Sequence, residues 1–131
     1  MNRDDKYVMI VDDNDFVRDI LEQYIQYFGY HPILCEHTTK AKEIFLQRKQ
    51  KHQPLDLILM DIKMPESHPK PTGIDLGREL TRTYDFKNII YITAYATEKA
   101  TQKEVEELNS ICIPKPFEMN QLKKEIDKYL S

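Results

Sequence analysis

Asp12 and Asp13 close the run YVMIVDD, Asp61 closes LILMD, and Lys115 follows ICIP in the stretch ICIPKPF. Each run is short and apolar, and the first is rich in β-branched side chains, the pattern of a strand buried on both faces whose last residue emerges at the edge of a parallel sheet. Brought to one mouth, a carboxylate pair, a third carboxylate and an ammonium group make a site for a divalent cation and a phosphoryl group. Three carboxylates a few Å apart repel, at about 4 kcal/mol per close pair for an effective dielectric of 20, so something positive has to sit among them. Mg²⁺ meets that need with an oxygen shell built from carboxylates, a carbonyl and waters. Asp61 ends its strand alone and is the carboxylate best placed to attack phosphorus, giving an acyl phosphate. Phosphoryl transfer spreads charge over three equatorial oxygens, and Lys115 can supply a cation to them. Thr93, at the end of NIIYIT, offers a hydroxyl to a phosphate oxygen, and Ala94 after it leaves access open. Taken one at a time, the same residues have plainer readings: DDND as a helix-capping turn, Asp61 as a loop cap, Lys115 as an exposed turn. An EF-hand is disfavoured because the acidic stretch lacks the required glycine.

The elements that would position these groups alternate along the chain. Residues 6–12 read as a strand; a helix follows from Asn14 or Asp15 as N-cap, with Phe16, Ile20, Leu21, Tyr24, Ile25 and Phe28 at helical spacing and Gly29 as its stop. His31 to Glu36 is a strand, Thr38 to about Lys51 a helix with Ala41, Ile44 and Phe45 inward, and Leu55 to Met60 a strand. Gly73 to Tyr84 is a helix, Asn88 to Thr93 a strand, Ala96 to Leu108 a charged helix anchored by Ala100, Val105 and Leu108, and Ile111 to Ile113 a strand. Phe117 to Leu130 closes the chain with Leu122, Ile126 and Tyr129 or Leu130 inward. Five strands alternating with five helices predict an α/β, flavodoxin-like, doubly wound parallel sheet in the order 2-1-3-4-5. Ligands bind such sheets beyond the carboxyl ends of the strands where the winding reverses, here between the first and third strands, which is where Asp12, Asp13 and Asp61 fall. Strands two and five are then opposite edges, so Cys35 and Cys112 cannot form an internal disulfide.

At 131 residues with 40% hydrophobic side chains, the chain fits one domain, with a core of about residues 6–131. Its net charge of -3, with lysines interspersed among glutamates, offers no basic field for nucleic acid. The start MNRDDKY lacks the apolar core of a secretion signal, and no apolar run approaches the ~18 residues of a membrane helix, so a cytoplasmic protein without membrane insertion is expected. The two cysteines have no CxxC spacing, and His31, His37, His52 and His68 have no ligand spacing. Three prolines stiffen the stretch from Met64 to Gly73 beside the proposed site.

In sequence and order, the acidic pair Asp12 and Asp13, the run LILMDIKMP, the ITA ending at Thr93 and Ala94, and the KPF from Lys115 to Phe117 resemble the receiver domain of bacterial two-component response regulators. The resemblance covers about residues 6–131. It implies that Asp61 is the phosphoacceptor, charged from a phosphohistidine of a sensor histidine kinase or histidine phosphotransfer protein. It implies that Asp12, Asp13, Asp61 and the backbone carbonyl of Lys63 hold Mg²⁺, that Thr93 and Lys115 bind the phosphoryl group, and that the Lys115-Pro116 bond is cis. It further implies no turnover enzyme beyond autophosphatase activity. A downstream protein would dock on the face of the fourth helix, fifth strand and fifth helix, with a phosphorylation-linked homodimer as a further outcome. The chain holds no output domain, which fits either a stand-alone receiver or one domain of a longer polypeptide.

Two positions depart from the family's pattern. Cys112 stands three residues before the lysine, where an aromatic usually moves with the threonine, and the stretch from Pro65 to Gly73 is longer than usual. Lys63 and Tyr95, two residues beyond Asp61 and Thr93, are large enough to obstruct an attacking water and imply a long-lived acyl phosphate. Two other classes remain: a receiver-like docking module that works without phosphorylation, and a haloacid-dehalogenase-like phosphohydrolase, whose opening motif Asp13 to Val17 also fits. The latter needs a later strand-borne acidic pair, where this chain has only Glu118, Glu125 and Asp127 in a helix.

Overall fold

The computed structural model describes residues 5–62, 72–94 and 96–131. Its strands are β1 (Tyr7–Val11), β2 (His31–Cys35), β3 (Leu57–Asp61), β4 (Ile89–Thr93) and β5 (Ile111–Pro114), alternating with helices α1 (Asp15–Tyr27), α2 (Thr38–Gln50), α3 (Gly73–Tyr84), α4 (Lys99–Glu107) and α5 (Met119–Leu130). All pairings are parallel and the order is β2-β1-β3-β4-β5, as the alternation predicts.

Period-two alternation in the central strands splits the core into two layers. One layer joins Val8, Ile10, Leu57, Leu59 and Ile92 to Leu21 and Ile25 of α1 and Leu122 and Ile126 of α5. The other joins Met9, Ile58, Met60 and Tyr91 to Phe45 of α2, Leu76 and Leu80 of α3, and Val105 of α4. Burying each such side chain stabilises the fold by about 1.5–3 kcal/mol relative to leaving it in water, so the sheet is fixed from both sides.

Local chemistry sets the element ends. Asn14 caps α1 by accepting the Val17 N–H at 3.0 Å, and Gly29 ends it at φ +94°, a left-handed conformation that glycine adopts without strain. Thr72 and Asp75 form a reciprocal capping box on α3. Three boundaries differ from the sequence reading by two residues or more. β3 begins at Leu57 rather than Leu55, because the Asp56 side chain takes the Tyr7 N–H at 2.8 Å in place of a ladder carbonyl. α4 begins at Lys99 rather than Ala96, and α5 at Met119 rather than Phe117, because Glu98 and Glu118 are extended. With that start, Ala100 faces solvent and Thr101 takes the inward position beside Val105. Phe16 is also exposed, at 74%, because it sits on the outer side of the first turn of α1. Cys35 is buried and Cys112 half-buried, both unbridged and on opposite edge strands.

Candidate functional site

The carboxyl ends of β1, β3, β4 and β5 deliver the predicted residues to one place. Asp12, Asp13 and Asp61 bring one carboxylate oxygen each within 4.8 Å of one another. Lys115 lies opposite, its Nζ donating to Asp12 Oδ2 at 2.8 Å and standing 3.5 Å from Asp61 Oδ2. Thr93 is buried, and its carbonyl accepts the Lys115 N–H at 3.0 Å, so the lysine backbone is registered on the strand that carries the threonine. The Lys115-Pro116 bond is cis, as the resemblance implied. Lys63, Tyr95 and residues 64–71 of the proline-rich stretch lie outside the described residues.

Several residues that the sequence reading passed over hold this arrangement. The Asn14 N–H donates to Asp12 Oδ1 at 2.9 Å, and Arg18 Nη1 donates to the Asp12 carbonyl at 2.7 Å while its other amine pairs with Asp15. A signal for Arg18 was present: it lies one turn into α1 from the N-cap, within reach of the strand end that precedes it. Gly73 sits directly on the Asp61 backbone, where any Cβ would overlap the Asp61 carbonyl oxygen, and its N–H donates to the Ile62 carbonyl at 3.0 Å. Glycine is required there by close approach rather than by backbone angle. Beside Lys115, Val17, Ile20, Tyr24, Pro116 and Phe117 line an apolar groove.

Electrostatically, Asp61 is the strained member. Only 5% exposed, it has its carboxyl pushed up to about 7, first by burial and then by the neighbouring Asp12 charge, with Lys115 pulling the other way. Burial works to lower the Lys115 ammonium, but its hydrogen bond to Asp12 and the Asp61 charge outweigh that and hold it above the usual lysine value. Among the described residues Lys115 brings one ammonium to the three carboxylates, and the cluster suits a further cation. The donors are all oxygen, at the mouth of a sheet, which suits a hard divalent ion such as Mg²⁺. The acids that a phosphohydrolase would need in addition are engaged elsewhere: Asp127 accepts from Tyr30 and Lys123, and Glu125 accepts from Lys128.

Comparison with known proteins gives the same picture. Residues 8–127 match the family described as "Response regulator receiver domain". The chain is 32% identical over 120 residues to the phosphate regulon transcriptional regulatory protein PhoB of Pseudomonas aeruginosa, covering 89% of this chain and 48% of that protein. It is 28% identical over 127 residues to the polar-differentiation response regulator DivK of Brucella anthropi, covering 95% and 96% of the two. The chain spans about half the length of the first curated relatives it matches. Among solved structures, the response regulator TrrA of Thermotoga maritima, in complex with Mg²⁺ and BeF, superposes with a TM-score of 0.77 at 25% identity over 95% of this chain and 99% of that one.

Proposed function

We propose that this chain, which belongs to the response regulator receiver domain family of two-component signalling, takes a phosphoryl group on Asp61 and converts it into a change of docking surface. Receiver domains are signalling modules rather than turnover enzymes, and they interact with histidine kinases and with downstream effectors. The observation that carries the reading is the buried Asp61, raised to about 7 and held 3.5 Å from Lys115 beside Asp12 and Asp13.

In this reading an Asp61 oxygen forms a bond to phosphorus as the phosphorus–nitrogen bond of a phosphohistidine breaks, and the bonding pair returns to the imidazole nitrogen. Lys115 favours the carboxylate form of Asp61 before transfer and faces the added negative charge after it. The Thr93 hydroxyl then binds a phosphoryl oxygen. Asp12, Asp13 and Asp61, with the Lys63 carbonyl, would hold Mg²⁺, which when bound neutralises the carboxylates and the equatorial oxygens. Asn14 and Arg18 keep Asp12 in place through its carboxylate and its carbonyl. Hydrolysis by the same site limits the lifetime of the acyl phosphate.

We assign the donor as a histidine kinase or histidine phosphotransfer protein, and the output as protein docking on the α4, β5 and α5 face, with homodimerisation as one form of it. Among the described residues no helix is long and apolar enough to cross a membrane, which supports a cytoplasmic module. Residues 6–131 form one receiver unit. Incubation with Mg²⁺ and acetyl phosphate or phosphoramidate, read by intact mass, should show a labile gain of one phosphoryl group that is absent in Asp61→Asn. A wild-type chain that gains nothing overturns the proposal.

A further inference from the structure

The α3 side of the sheet contains a polar atom in an unusual position. Tyr91 is fully buried in the middle of β4, and its hydroxyl has no hydrogen-bond partner among the described residues. Buried hydroxyls are nearly always paired, so an orphan one destabilises the conformation that holds it and favours any other that gives it a partner. The ring tip lies against Gly77 of α3, where any Cβ would overlap the Tyr91 hydroxyl. Gly73, one turn earlier on the same ridge, lies against the Asp61 carbonyl in the same way. One side of α3 therefore touches both the Asp61 backbone and the tip of Tyr91.

Tyr91 is tied to the site along its own strand as well. It shares a face of β4 with Thr93 two residues on, and Cys112 is its register partner on β5. Cys112 thus presents only a small thiol side chain at the position paired with the ring. Arg78, next to Gly77, reaches Glu104 of α4 at 3.3 Å, which links α3 to α4.

We propose that Tyr91, seated on Gly77 and flanked by Cys112, is a positioning residue that couples the state of the Asp61–Thr93 site to α3 and α4. In the resting chain the ring is held with its hydroxyl unpaired; when Asp61 and Thr93 close on a phosphoryl group, α3 is displaced through Gly73, the ring leaves its seat, and the hydroxyl gains a partner. This rests on the reading of Asp61 as phosphoacceptor.

The test is titration of the full chain with beryllofluoride in saturating Mg²⁺, alongside urea denaturation of the ligand-free protein. Tyr91→Phe removes the orphan hydroxyl, so the ligand-free protein should be as stable as wild type or more so, while beryllofluoride binds about fivefold more weakly, a change of about 1 kcal/mol. Gly77→Ala pushes the ring from its seat, so the ligand-free protein should be less stable and bind beryllofluoride several-fold more tightly. A purely structural tyrosine would not give opposite signs. Binding by Tyr91→Phe within twofold of wild type, or tighter, overturns the inference while leaving the phosphoacceptor reading intact; should Gly77→Ala fail to fold, Tyr91→Phe alone decides. A wild-type chain that does not bind beryllofluoride at all overturns both.

Discussion

On the α1 and α5 side of the sheet every strand side chain in the core is aliphatic, and α5 closes over them with Leu122, Ile126 and Leu130 from three successive turns. On the other side the same strands present Tyr91 and Cys112 among the aliphatics, α3 approaches on glycines, and the nine-residue α4 reaches the core with Thr101 and Val105. Asp61 continues the row Leu57, Leu59 on the first side, whereas Thr93 continues the row Ile89, Tyr91 on the second. The side chain of Asp61, the proposed acceptor, is backed by the more firmly packed layer, while its backbone carbonyl faces Gly73 of α3. Thr93 is mounted on the layer with weaker anchorage, so in the proposed reading a phosphoryl group on Asp61 would meet a firmer support behind it and a more compliant one across from it.

Substitutions can break or sharpen this contrast. The largest effect is expected for Ile126→Ala in α5: loss of a fully buried side chain should lower stability in urea by about 3 kcal/mol, and a loss below about 1 kcal/mol would remove the distinction between the faces. Next is Asp61→Asn in magnesium-free buffer at pH 8. Because folding raises the Asp61 carboxyl to about 7, the stability it contributes is fully present below the unfolded carboxylate value near 4 and is lost as pH rises through 7. The asparagine variant should therefore be more stable than wild type at pH 8, on the order of 2 kcal/mol, and the gain should vanish toward pH 4. Equal urea midpoints at both pH values would mean that the acidic cluster is not strained. A smaller difference should separate the helices by hydrogen exchange: α4 amides should exchange at least about tenfold faster than those of α5, about 1.4 kcal/mol, and equal protection would make the two faces alike. Smallest is Ala100→Ser, exposed on α4, expected to change stability by less than about 0.5 kcal/mol; a larger loss would show that α4 packs through that residue.

The strand order and the meeting of Asp12, Asp13, Asp61, Thr93 and Lys115 were legible because doubly buried strands have few alternatives: an apolar run that ends in charge can only deliver that charge to the sheet edge. Helix faces were less legible. Phe16 and Ala100 read as inward positions yet face solvent: Phe16 lies on the outer side of the first turn of α1, and the later start of α4 gives the inward place to Thr101. NIIYIT reads as a uniform apolar run, so the sequence held no sign that Tyr91 meets Gly77 end-on. Nor did it show that Gly73 supports Asp61, because such contacts join segments that only the packed α3 brings together.

The seat of Gly73 on the Asp61 carbonyl has a genetic consequence. A mutagenic screen for signal-blind clones should recover replacements at position 73 alongside those at Asp61 itself, although residue 73 bears no ionisable group. On the proposed reading, such alleles would leave all three acids in the gene and still block acceptance of the phosphoryl group, and they would be misfiled as scaffold defects by anyone scoring only the chemistry of the side chains.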